Sequence, residues 1–206
     1  DVMRLIAFTS ISHFGFIVLG IFVMTSQGIS GSSFYMVNHG FSTGALFLVM
    51  GYLVSRRGSK RISDFGGVQK VAPILTGVFL ISGLSGLALP GMSSFISEFL
   101  VLTGTYAVNP TAAIIATLGI VLAAVYILWL YQRMMTGLPS SEVAETVKEI
   151  SRRELFAVAP ILAIIIALGF VPQVALNVIN PAVEQVQTYV GVTDPEAVVV
   201  SEGSGS

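Results

Sequence analysis

Residues 71–106 form a long apolar stretch that is interrupted in its middle and carries an acidic residue, Glu98. As one straight helix, its 36 residues would run about 54 Å, against a hydrocarbon core of about 30 Å. The stretch must therefore break or tilt steeply. The break is expected at "GLSGLALPGMSS", where Gly83, Gly86, Pro90 and Gly91 cluster and where Ser93 or Ser94 can cap a second helix restarting before Phe95. Glu98 then lies about one turn into the second half. A helix broken at membrane depth is tolerated where neighbouring protein or a water-filled cavity satisfies the freed backbone groups. A carboxylate at such a place is a functional candidate.

Composition supports reading the stretch as intramembrane. A mean hydropathy of +0.87, with 54% hydrophobic and 10% charged residues, separates the chain from soluble domains and disordered segments. The 206 residues suffice for five spans and their loops. With no cysteine, disulfides and thiolate metal sites are excluded. No signal peptide is visible, and a span begins almost at once after Asp1, so the chain reads as a fragment of a longer protein.

The fold class expected is an all-α integral membrane protein of about five transmembrane helices, the third discontinuous. The first span covers about 5–24, with His13 near its midpoint and Gly15 and Gly20 placed for close helix approach. An uncharged turn, "TSQGISGSS", leads to a second span over about 33–55 that holds His39. The basic loop 56–70 precedes the broken third span, 71–106, and the fourth covers about 112–134. Its Tyr126, Trp129 and Tyr131 suit an interfacial belt. A polar loop, 136–152, with an amphipathic helical turn precedes a fifth span over about 155–170. The transmembrane domain is thus 1–171 and the tail 172–206. In the tail, Pro172 and Pro181 flank a short amphipathic segment, and the Gly/Ser-rich end from Ser201 is expected to be disordered.

If these spans alternate, every Lys and Arg falls on one side: Arg4, Arg56, Arg57, Lys60, Arg61, Lys70, Arg133, Lys148, Arg152 and Arg153. Lys/Arg-rich loops are cytoplasmic, so the start of the chain is expected inside and its end outside, in a multi-pass inner (plasma) membrane protein.

Three ionisable side chains remain within the membrane: His13, His39 and Glu98. A single intramembrane histidine often serves packing through a hydrogen bond. An unpaired charge at depth, however, costs roughly 2.5–3.5 kcal/mol even on the lenient insertion scale, a cost glutamine in place of Glu98 would avoid. Three protonatable groups on three successive spans read as a proton or ion relay. Two histidines and a carboxylate are also the ligand set of non-haem iron oxygenases, but their separation on three spans gives that little support. No phosphate loop, nucleophile elbow or nucleic-acid patch is present. A purely structural membrane module is the plain alternative.

Four stretches carry a resemblance: "RLIAFTSISHFGFIVLGI" (4–21), "VNHGFSTGALFLVMGYL" (37–53), "LALPGMSSFISEFLVLTG" (87–104) and "RRELFAVAPILAIIIALGFVPQ" (152–173). Together they resemble the C-terminal third of the antiporter-like subunits of respiratory complex I, the proton-translocating NADH-quinone oxidoreductase. Within that family the chain is most similar to the M-type (chain 4) branch, because the L- and N-type branches place a lysine where Glu98 stands. Met3 and Phe14 depart mildly from the family pattern, where lysine and methionine are common.

The resemblance implies half of an inverted-repeat, antiporter-like fold of fourteen spans, of which these would be the last five. It further implies a proton relay through His13, His39 and Glu98, with no catalytic, cofactor-binding or metal-binding residue in this chain. NADH, FMN, iron-sulfur clusters and quinone would be held by partner subunits. The implied partners are other membrane-arm subunits, especially the L- and N-type ones, and the lipid bilayer, with no nucleic acid. A subunit of a multisubunit cation/proton (Na+/H+) antiporter is the alternative within the same fold.

Overall fold

The computed structural model describes residues 1–195, and its elements follow from caps and breakers local to the chain. The carboxylate of Asp1 accepts from the Arg4 N–H at 3.1 Å and opens α1, Val2–Phe22. Helix α2, Ser26–Arg57, starts where the Thr25 hydroxyl accepts from the Gly28 N–H at 3.1 Å and stops at Gly58, whose φ of 71° suits glycine. Helix α3 is a single turn, Val68–Val71. The third span is split into α4, Pro73–Gly86, and α5, Ser93–Val108. Helix α6, Pro110–Met135, has proline at its first position and Asn109 as its cap. Helix α7, Ser141–Thr146, supplies the amphipathic turn expected in the 136–152 loop. A capping box of Ser151 and Glu154 opens α8, Arg152–Phe170, and α9, Gln173–Val190, follows after Pro172. No strand occurs among the described residues.

Helices α1, α2, α6 and α8 are each long and apolar enough to cross a membrane, and α4 with α5 makes the fifth crossing in two pieces. Three expectations need correction. The "TSQGISGSS" stretch is helical from Ser26 onward, because its small residues serve close packing: a Cβ on Gly31 would meet Val101 N at 2.9 Å, and one on Gly104 would meet Gly28 N at 2.6 Å. Gly20 is also closely packed, but Gly15 faces open space. Pro181 lies inside α9, so the amphipathic segment is one 18-residue helix; proline removes one helical hydrogen bond there without ending the element. The Gly/Ser-rich end from Ser201 lies outside the described residues.

Five helix ends meet at one end of the bundle. The Val2 N–H donates to the Lys60 carbonyl at 2.9 Å, and the Gly67 N–H to the Thr136 carbonyl at 2.8 Å. Arg56 donates to both carboxylate oxygens of Glu154, at 2.9 and 2.5 Å, and Arg57 pairs with Glu142. Glu149 accepts from the Ile74 and Leu75 N–H groups at 2.8 Å each, capping α4 from a distant loop. All ten Lys and Arg residues belong to this end. At the opposite end the chain returns to the start of α2, where Asp194 accepts from the Ser26 N–H at 2.7 Å and the Ser26 hydroxyl at 2.5 Å. That hydroxyl holds the Asp194 carboxyl below the usual carboxylate range.

Two apolar clusters fill the bundle. One, toward the basic end, includes Ile6, Leu53, Phe79, Leu130 and Val158; the other holds Phe16, Ile17, Tyr35 and Val101. The bundle also buries polar residues, among them His13, Asn38, His39, Ser42, Ser82, Ser85, Ser93, Ser94, Ser97 and Glu98.

Candidate functional site

The break between α4 and α5 is built by a helix ending without its usual glycine. Leu89 N–H bonds back to the Leu84 carbonyl and Ala88 N–H to the Ser85 carbonyl, both at 3.2 Å, the pattern of a Schellman C-terminus. That pattern needs a left-handed residue, and Ala88 supplies it at φ 52°. Helix α8 seals the break: a Cβ on Gly169 would strike the Gly91 carbonyl oxygen and lie 2.8 Å from the Met92 carbonyl carbon. Helix α5 restarts with Met92 in the cap position and no side-chain cap. Ser93 and Ser94 are thus its first residues, not its caps, and both hydroxyls are buried without a partner. Asn38 of α2 holds the restart, donating to the Ser93 carbonyl at 3.0 Å and to the Ser97 hydroxyl at 2.7 Å.

One and a half turns further on, Glu98 is buried, with 5% of its surface exposed. The phenol of Tyr35, itself fully buried on α2, donates to Glu98 Oε1, and Glu98 Oε2 has no hydrogen-bond partner. One turn along α2 from Tyr35 stands His39, because residues four apart share a helix face. Its Nδ1 lies 3.2 Å from His13 Nδ1, and the rings meet edge-on with centroids 5.2 Å apart. Ser10 Oγ is 2.8 Å from His39 Nε2, and Thr43 Oγ1 is 3.2 Å from its Nδ1. The two histidines expected from the sequence are therefore in direct contact, and Tyr35 stands between them and Glu98, its ring centroid 5.8 Å from that of His13.

A buried N–H without an acceptor is rarer than a buried acceptor without a donor. With both rings neutral, the Nδ1–Nδ1 contact therefore holds a single hydrogen: one ring donates there and the other accepts, carrying its own hydrogen on Nε2. His13 Nε2 is buried without a hydrogen-bond partner. Among the described residues no group of three or more His, Asp or Glu side chains converges as a metal site.

Tyr126 corrects the reading of an interfacial belt. Its hydroxyl is buried without a partner, in the neighbourhood of Glu98, because Tyr126 shares its helix face with the buried Ala123 and Leu130. Trp129 does face outward, 43% exposed, under the Arg133 guanidinium at 5.3 Å, whereas Tyr131 stacks on Phe79. Sequence reasoning missed Tyr35, Asn38, Ser10 and Thr43. For Tyr35 and Thr43 a signal existed, since each lies four residues from His39 on the same helix face.

A family model described as "NADH:quinone oxidoreductase/Mrp antiporter, TM" matches residues 1–125. The chain is 56% identical over 195 residues to NADH-quinone oxidoreductase subunit M of Mycobacterium tuberculosis (strain ATCC 25618 / H37Rv), which covers 95% of this chain and 35% of that protein. It is 44% identical over 184 residues to the protein of the same name from Rickettsia typhi, covering 89% of this chain and 37% of that protein. Among solved structures, a chain of respiratory complex I from Thermus thermophilus with bound NADH superposes with a TM-score of 0.84 at 30% identity, over 91% of this chain and 39% of that one. The chain thus spans little more than a third of the length of the relatives it matches.

Proposed function

Because the chain belongs to the NADH:quinone oxidoreductase/Mrp antiporter family, we propose that it is part of an M-type membrane-arm subunit of NADH-quinone oxidoreductase and carries one segment of a proton path. The observation that supports this most directly is the buried array His39, His13, Tyr35 and Glu98 beside a helix broken at membrane depth. Protonation of His39 lets it pass a proton across the 3.2 Å contact to His13 Nδ1. With its neutral hydrogen on Nε2, His13 accepts that proton at Nδ1 and releases the Nε2 proton to the Glu98 carboxylate, which leaves both rings neutral, His13 as its Nδ1–H tautomer, and Glu98 protonated. Electron transfer from NADH to quinone would occur in other subunits with their own cofactors, and L- and N-type antiporter-like subunits would be this chain's neighbours along the membrane. The ten Lys and Arg residues at one end of the bundle support placing that end in the cytoplasm of a cell whose inner membrane the subunit spans.

The test is Glu98→Gln in the full-length subunit, in inverted membrane vesicles driven by NADH. The proposal expects an assembled complex with a reduced proton gradient; a gradient at the parent level in an assembled variant overturns it. The family description also names antiporters, which supports one second reading, exchange of sodium for protons without electron transfer. Sodium/proton exchange that persists without quinone reductase subunits would decide for it.

A further inference from the structure

We infer that Tyr35 is a positioning residue that couples Glu98 to the histidine pair, and this inference rests on the relay proposed above. Tyr35 is fully buried, and among the described residues its hydroxyl is the hydrogen-bond donor to Glu98. Its ring lies 5.8 Å from that of His13 at 30° and meets that of His39 edge-on at 6.4 Å. One side chain therefore touches all three groups of the relay. Tyr126, the other phenol near Glu98, makes no hydrogen bond, so it does not duplicate the contact.

The contact has two consequences. With the phenol on Oε1, Oε2 is the carboxylate oxygen without a donor and the one more open to take and release a proton. Because Tyr35 and His39 sit one turn apart on α2, a movement of α2 relative to both α1 and α5 changes the Glu98 contact and the histidine contact together. Phenylalanine would keep the packing against Phe16 and Val101 but leave both Glu98 oxygens without a donor.

The experiment uses the full-length subunit in its assembled membrane complex, with Tyr35→Phe, Glu98→Gln and the double variant. Two quantities are read: the proton yield per NADH oxidised, and the infrared carbonyl band of protonated Glu98, identified by its loss in Glu98→Gln. Tyr35→Phe is expected to move that band to higher frequency, as a carbonyl does on losing a donor, and to lower the proton yield toward that of Glu98→Gln. An unmoved band, or a moved band with a parent proton yield, overturns the inference. Should Tyr35→Phe fail to assemble, 3-fluorotyrosine at position 35 keeps ring and hydroxyl while making the phenol a stronger donor; a band moved to lower frequency supports the inference and an unmoved band overturns it. A parent yield in Glu98→Gln would remove the relay itself, whereas a parent yield in Tyr35→Phe beside an impaired Glu98→Gln removes this inference alone.

Discussion

At Ala88 the chain uses a residue that its backbone conformation does not favour. The Schellman pattern that ends α4 requires φ near the left-handed region, and an L-residue with a Cβ costs about 1–2 kcal/mol there. Glycine would relieve that cost but lose more chain entropy on folding, by roughly 0.5–1 kcal/mol. Ala88→Gly is therefore expected to stabilise the subunit by up to about 1 kcal/mol, and Ala88→Val, with a β-branched side chain at the same φ, to destabilise it by more than about 1 kcal/mol. Thermal unfolding of the detergent-solubilised complex checks both. Equal melting of the two variants would mean that the break carries no backbone strain. Residue identity alone did not disclose this, since alanine is unremarkable in an apolar helix. Glu98, His13 and His39 were legible because ionisable groups are rare at depth. Tyr35 was marked only by its four-residue spacing from His39, because its partner Glu98 lies across a helix interface that the sequence does not show.

At the scale of helices, the sequence located the spans and the break because hydropathy and the Gly/Pro cluster both report local physics. It misjudged 25–32 and the region of Pro181 for a related reason: small residues and proline favour turns locally, and tertiary packing overrode that preference in both places. Which glycines mark close helix approach is equally invisible in sequence. Gly169 is the sharpest case, because α8 rests there directly on the backbone of the break. Gly169→Val should force α8 away from Gly91 and Met92 and cost at least about 1–3 kcal/mol, as overpacking against an unyielding backbone does. Gly15→Ala, with nothing within 4 Å of the added Cβ, should be neutral or stabilising by up to about 1 kcal/mol. The assembled yield and melting temperature of the two variants test the contrast; equal losses in both would show that glycine content, not contact with the break, governs stability.

For the whole molecule, the arrangement of charge ties fold to membrane. The ten Lys and Arg residues are scattered through the sequence, yet the fold gathers them at one end, where Arg56 grips Glu154 and Glu149 caps α4. The other end of the described chain carries Glu184 and Asp194. Lys/Arg bias of this kind orients a multi-pass protein because basic loops are retained on the cytoplasmic side. The chain contains no cysteine, so single reporters can be placed at the two ends, Lys60→Cys in the basic loop and Thr193→Cys beyond α9, in a full-length subunit freed of other reactive cysteines. In inverted vesicles a membrane-impermeant maleimide is expected to modify position 60 and spare position 193; in right-side-out vesicles the pattern reverses. The opposite pattern would reverse the relay as well, since protons would then have to reach the histidine pair from outside.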